Sequence, residues 1–131
     1  MTSSAAYAAA AILAIVVALV HSILGEIMIF RRLRKPGRVI PTDGGDRLLG
    51  SNVRILWASW HVLTVFGVGM AAMLLRLASS SRTVEHDFIA QAIAVSMFGG
   101  SLLVLVGTRG RHPGWIGLLG VAVLVWLGVR T

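Results

Sequence analysis

Four apolar stretches, separated by polar and largely basic segments, make up this chain. The first covers residues 5–30 and is interrupted only by His21, Ser22 and Glu26. The others cover 54–76, bounded by Arg54 and Arg76, then 88–106, then 114–130. An apolar run of about 20 residues crosses the hydrocarbon core as a helix, and inside a bilayer only helices and closed barrels satisfy their own backbone. The pattern predicts one transmembrane domain over 1–131: an all-α integral membrane four-helix bundle, antiparallel, up-down-up-down. The fourth run is short for a span and calls for local thinning of the bilayer or outward snorkelling of Arg130. No Lys or Arg precedes the first run, which is also longer than the apolar core of a cleaved leader, so the first helix is expected to be retained.

Composition supports the membrane reading. Hydrophobic residues make up 56% of the chain and charged residues 13%; a soluble domain carries about twice that charged share. A chain of this size has too little interior to hide so much apolar surface, so the surplus faces lipid. Lys and Arg number twelve against five Asp and Glu, for a net charge of +7. In a soluble chain that balance would suggest nucleic acid. Here the basic residues lie between the apolar runs, and no basic-aromatic groove is visible, so no nucleic acid is expected. Arg31, Arg32, Arg34, Lys35, Arg38 and Arg47 occupy the 31–52 loop, and Arg109 and Arg111 the third connection; only Arg76, Arg82 and Arg130 fall on the opposite side. The positive-inside rule then makes 31–52 a basic cytoplasmic loop and puts the N- and C-termini outside. That loop is placed to meet anionic lipid headgroups. With no cysteine, disulfides and thiolate metal sites are excluded.

Small residues recur every fourth position in the first helix (Ala6, Ala10, Ala14, Ala18, Ser22) and in the third (Ala92, Ser96, Gly100). This spacing lets helices approach closely in lipid, against another helix of the chain or another copy of it. Two segments, Arg32 to Val39 and Arg109 to Ile116, share the pattern R-x-R-[K/H]-P-G-x-[V/I]. The helices before them do not align at that offset, which favours similar membrane-exit turns, or chance, over a duplication.

Ionisable residues inside a span are costly and usually face the bundle interior. His21 and Glu26 in the first helix and His61 in the second are the clear cases, with Arg54 at the second helix's entrance. In an antiparallel pair His61 falls level with Ser22, so the two histidines share a depth about 12 Å inside the cytoplasmic end. Arg54, Trp57, His61 and Thr64 are spaced to share one face. Glu26 is expected to pair with Arg54. His21 points about 140° away from Glu26, so one metal held by both needs a distorted helix or a third ligand. Gly99, Gly100 and Ser101 leave space at that level, and Arg111 and His112 offer donors at its mouth, which suggests a polar pocket in the cytoplasmic half.

Several readings of this set stay open. The residues can form a structural network that specifies helix pairing. They can bind a small molecule, a proton or a lipid headgroup. They can also hold a cofactor, either bis-His haem or a transition metal on His21, His61 and Glu26, although neighbouring helices pack too closely to admit a macrocycle easily. Elsewhere, His86 reads as part of a helix start capped by Thr83 or Asp87, and His112 as an interfacial residue. Trp57, Trp60, Trp115 and Trp126 read as interfacial or packing aromatics. Phosphate-loop, nucleophile-elbow and H-E-x-x-H patterns are absent, so a non-enzymatic role is expected.

His21-Ser22-x-Leu24-Gly25-Glu26, Arg54-x-x-Trp57-x-x-x-His61-x-x-Thr64 and Arg111-His112-Pro113-Gly114-Trp115 together resemble a group of small bacterial four-helix integral membrane proteins of unknown function. The resemblance implies a multi-pass protein of the bacterial cytoplasmic membrane and brings no activity with it. The expectation is a non-enzymatic membrane module with a polar His/Glu/Arg pocket; the alternatives are a haem- or metal-binding redox protein and an assembly partner in a larger membrane complex. Possible partners beyond the lipid bilayer are a second copy of the chain and another membrane protein.

Overall fold

A computed structural model describes residues 2–131. Those residues are all-α, with four helices: α1 (Ser3–Met28), α2 (Gly50–Ser79), α3 (Val84–Gly107) and α4 (Gly114–Arg130). The first three, at 26, 30 and 24 residues, are long and apolar enough to cross a membrane. At 17 residues α4 rises about 25 Å, shorter than the core of about 30 Å.

Helix ends fall where local chemistry sets them, in places some residues from the ends of the apolar runs. Helix α1 stops at Met28, and the chain tightens into a 3₁₀ turn over Phe30–Leu33 ahead of Pro36, which disfavours a helix before it. Helices α2 and α3 extend past the predicted 54–76 and 88–106 because the flanking residues cap them. Ser79 and Ser80 hydroxyls donate to the Arg76 and Leu77 carbonyls, and Thr83 accepts from the His86 N–H, the cap expected from sequence. After α3, Arg109 and Gly110 take positive φ (52° and 74°), and Gly110 N–H returns to the Leu105 carbonyl, closing the helix in the manner of a left-handed C-cap.

The chain forms two compact units. The first comprises residues 2–17 with 67–131. Its core draws on all four helices: Tyr7, Ala10 and Ala14; Ala71 and Leu74; Ala90, Ile93 and Met97; Val121 and Val125. Helix α4 comes close to α1 through glycine, for a Cβ at Gly128 would enter the Tyr7 ring and one at Gly117 would strike Val17. Within this unit α3 and α4 run in opposite directions: Ser101 donates to the Trp115 carbonyl near one end, and Arg82, just before α3, donates to the Val129 carbonyl at the other.

The second unit is residues 18–66, comprising the end of α1, the 30–49 connection and the start of α2. The connection is folded. The Leu33 carbonyl accepts from both Thr42 and Asp43 N–H, Pro41 is buried, and Asp43 accepts from Gly45 N–H in an Asx turn.

Two packing expectations resolve differently. The α1 ridge is the packing face, with Ala6, Ala10, Ala14 and Ala18 buried. On α3, Ala92 and Ser96 are exposed, and the buried face is Ala90, Ile93, Met97 and Ser101. Gly100, the third member of that ridge, is half-buried, where a Cβ would be in ordinary contact with Leu118 of α4. The R-x-R-[K/H]-P-G segments are no structural repeat: Gly37 turns the chain at φ 74°, whereas its counterpart Gly114 opens a helix.

Candidate functional site

The polar residues of α1 and α2 meet within residues 18–66. Thr64 donates to the Ala18 carbonyl (3.3 Å), Trp60 Nε1 to the His21 carbonyl (3.0 Å), and Ser22 Oγ bonds His61 Nδ1 (2.5 Å). The pair numbers sum to 82, 81 and 83, the antiparallel register in which His21 and His61 are level.

Glu26 sits one turn beyond Ser22. Its Oε1 pairs with Arg34 Nη2 at 2.5 Å, and its Oε2 lies 3.8 Å from His61 Nε2. The expected Glu26–Arg54 pair is not formed; Arg54 is exposed, and Arg34 takes its place. The reason is the end of α1. Eight helical residues would carry Arg34 about 12 Å beyond Glu26, but after the 3₁₀ turn Arg34 is extended (φ −106°, ψ 127°) and comes back to the carboxylate. Of the four residues expected on one face of α2, Trp57, His61 and Thr64 are half-buried and Arg54 is not. The Trp57 and His61 rings pack edge-on at 5.0 Å.

His21 turns to a different neighbour. Its ring stacks on the Trp60 indole, with centroids 4.3 Å apart and planes at 8°. Phe30, buried, closes edge-on against the same indole at 5.7 Å. Gly25 makes the stack possible, since any Cβ there would lie inside the Trp60 ring. Trp60 and Gly25 therefore organise the site, although Trp60 reads from sequence as a packing aromatic. The signal for it was Gly25 itself, the one glycine of α1, one turn beyond His21.

Beside this network an open groove of about 300 Å³ is lined by Ser22, Ile23, Glu26, Ile27 and His61. It is an open and largely apolar surface groove, and the polar pocket expected from sequence is not shown. Two donors next to the ion pair, Trp57 Nε1 and Arg34 Nε, are sealed from solvent and make no hydrogen bond. Arg111 and His112 belong to the other compact unit. Both are exposed at the α3–α4 turn, where His112 Nδ1 accepts the Gly114 N–H (3.0 Å) and so caps α4.

The geometry narrows the chemistry. No group of three or more His, Asp or Glu side chains capable of holding a metal occurs among the described residues; with His21 stacked on Trp60, the His21/His61/Glu26 set is not assembled. The direct Ser22–His61 bond brings α1 and α2 into contact at the level of the two histidines. Ser22, His61 and Glu26 do stand in the order of a nucleophile, base and orienting acid. Ser22 lies inside α1, however, where the neighbouring N–H groups are committed to the helix, and an oxyanion would find no backbone donors.

No family model, curated protein or solved structure matches the chain.

Proposed function

We propose that this chain is a non-enzymatic, four-span protein of the bacterial cytoplasmic membrane that binds the anionic headgroup of an amphiphile at Arg34 and His61, which Glu26 positions. The carrying observation is that Glu26 is shared by Arg34 and His61 at the rim of a groove whose remaining walls include Ile23 and Ile27. Apolar walls beside a charged end suit a molecule with an acyl chain and a polar head. The basic residues of 31–52 favour an anionic head, and their excess over Arg76, Arg82 and Arg130 supports a cytoplasmic loop with external termini.

The test is native mass spectrometry of the protein purified in mild detergent and offered equal anionic and zwitterionic lipid. Selective retention of anionic lipid, weakened in Arg34→Gln and His61→Gln, supports the reading; equal retention of both lipids by all three proteins refutes it. A visible absorption band in the same sample would favour the haem alternative. Sidedness is tested by single cysteines at Thr2 and Asp46, which should label from opposite faces. Asp46 is exposed.

A further inference from the structure

We infer that His86 is a second, proton-binding site, independent of the groove, whose protonation closes an ionic clasp across the ends of α2, α3 and α4. His86 is buried, at 7% exposure, in the first turn of α3. Its Nε2 lies 3.0 Å from the Leu77 carbonyl in the last turns of α2. A carbonyl can only accept, so Nε2 carries a hydrogen. The tautomer is thereby set, and Nδ1 is the atom that gains or loses the titrating proton. Nδ1 is buried and makes no hydrogen bond, and it lies 3.6 Å from Asp87 Oδ1.

The carboxylate is held in place from its other side. Arg82 Nε donates to both Asp87 oxygens, at 2.9 and 3.1 Å, and Arg82 Nη2 donates to the Val129 carbonyl near the end of α4. With Nδ1 bare, a buried lone pair faces a carboxylate. With Nδ1 protonated, a continuous array runs from Leu77 through His86, Asp87 and Arg82 to Val129. Arg82 then lies at the carbonyl end of α4, where the helix dipole favours positive charge, while His86 lies between the carbonyl end of α2 and the first turn of α3, whose dipoles act in opposite senses on it.

The groups around His86 are consistent with this role. From α1 the Tyr7 ring approaches at 5.3 Å, and its hydroxyl is also sealed without a hydrogen bond. Arg82 comes from the α2–α3 turn and Asp87 from α3. From α2 and α4 the contacts are the Leu77 and Val129 carbonyls, while Arg130 of α4 stacks over Trp126 at 3.7 Å. Glu85 and Arg76 are exposed. A proton is the ligand this arrangement takes, and on the topology proposed above it would arrive from outside.

The test uses the full chain in mild detergent. Because a proton on Nδ1 creates the His86–Asp87 pair, the clasp is present on the acid side of histidine titration and lost on the alkaline side. Wild-type melting temperature should be higher in acid than in alkaline buffer, and His86→Gln and Asp87→Asn should each remove at least half of that difference. In ¹⁵N-histidine NMR of the wild type, His86 should carry both protons at the acid end and only the Nε2 proton at the alkaline end. Parallel pH profiles in all three proteins, or an Nδ1–H tautomer at the alkaline end, would overturn the assignment. If His86→Gln fails to fold, the NMR signals of the wild type decide the question.

Discussion

Residues 18–66 and the unit formed by 2–17 with 67–131 are built from comparable apolar helices, yet different interactions hold them. In the larger unit four helices meet through small and branched side chains, with Tyr7 laid over Gly128 and Leu74 fully buried. In residues 18–66, α1 and α2 are tied by Thr64, Trp60, Ser22 and His61, and Glu26 takes Arg34. The difference follows from lipid as a solvent. An apolar side chain gains little by leaving one hydrocarbon environment for another, so pairing rests on van der Waals fit or on hydrogen bonds. One unit relies mainly on fit, the other mainly on polar bonds.

The largest expected effect tests the first half of that contrast. Leu74→Ala should lower unfolding free energy in mild detergent by about 3 kcal/mol, the cost of a cavity the core cannot refill. Next comes Gly128→Val, about 2 kcal/mol, because its side chain must displace the Tyr7 ring; a neutral result would mean that the α1–α4 approach is looser than described. In residues 18–66, Glu26→Gln should cost about 1 kcal/mol, well short of the value for a fully buried pair. The discount reflects side chains that remain 25% and 32% exposed. Combining it with Arg34→Gln should recover part of the loss, and strict additivity would show that the two do not interact. Arg54→Gln should have the smallest effect, within about 0.5 kcal/mol, and should add independently to Glu26→Gln. A large loss at Arg54 would restore it as the partner of Glu26.

The candidate site was legible in part. His21, Ser22, Glu26, His61 and Thr64 stand out because polar groups in an apolar run are expensive, and helical spacing alone puts Trp57, His61 and Thr64 on one face. Arg34 was not legible as the partner of Glu26. Its distance along a continuous helix would be too great, and only the 3₁₀ turn after Met28 brings it back. His86 was legible as a neighbour of the Thr83 cap but not as a buried group, since its burial comes from Tyr7 and Leu77, residues far from it in sequence or outside its helix.

What the sequence by itself determined is the all-α class, three helices long enough to span a membrane with a shorter fourth, and the antiparallel register of Ser22 with His61. These follow from local hydrophobic period, run length and loop length, which need no knowledge of neighbours. Only the tertiary structure decided which cation takes Glu26, that Gly25 exists to admit Trp60, that α3 packs on Ile93 and Met97 and leaves Ala92 and Ser96 exposed, and that His86 is tied to Leu77. Each of these depends on the azimuth at which helices meet and on how a connection folds back. Both are set by contacts between distant residues, for which a one-dimensional pattern carries no coordinate.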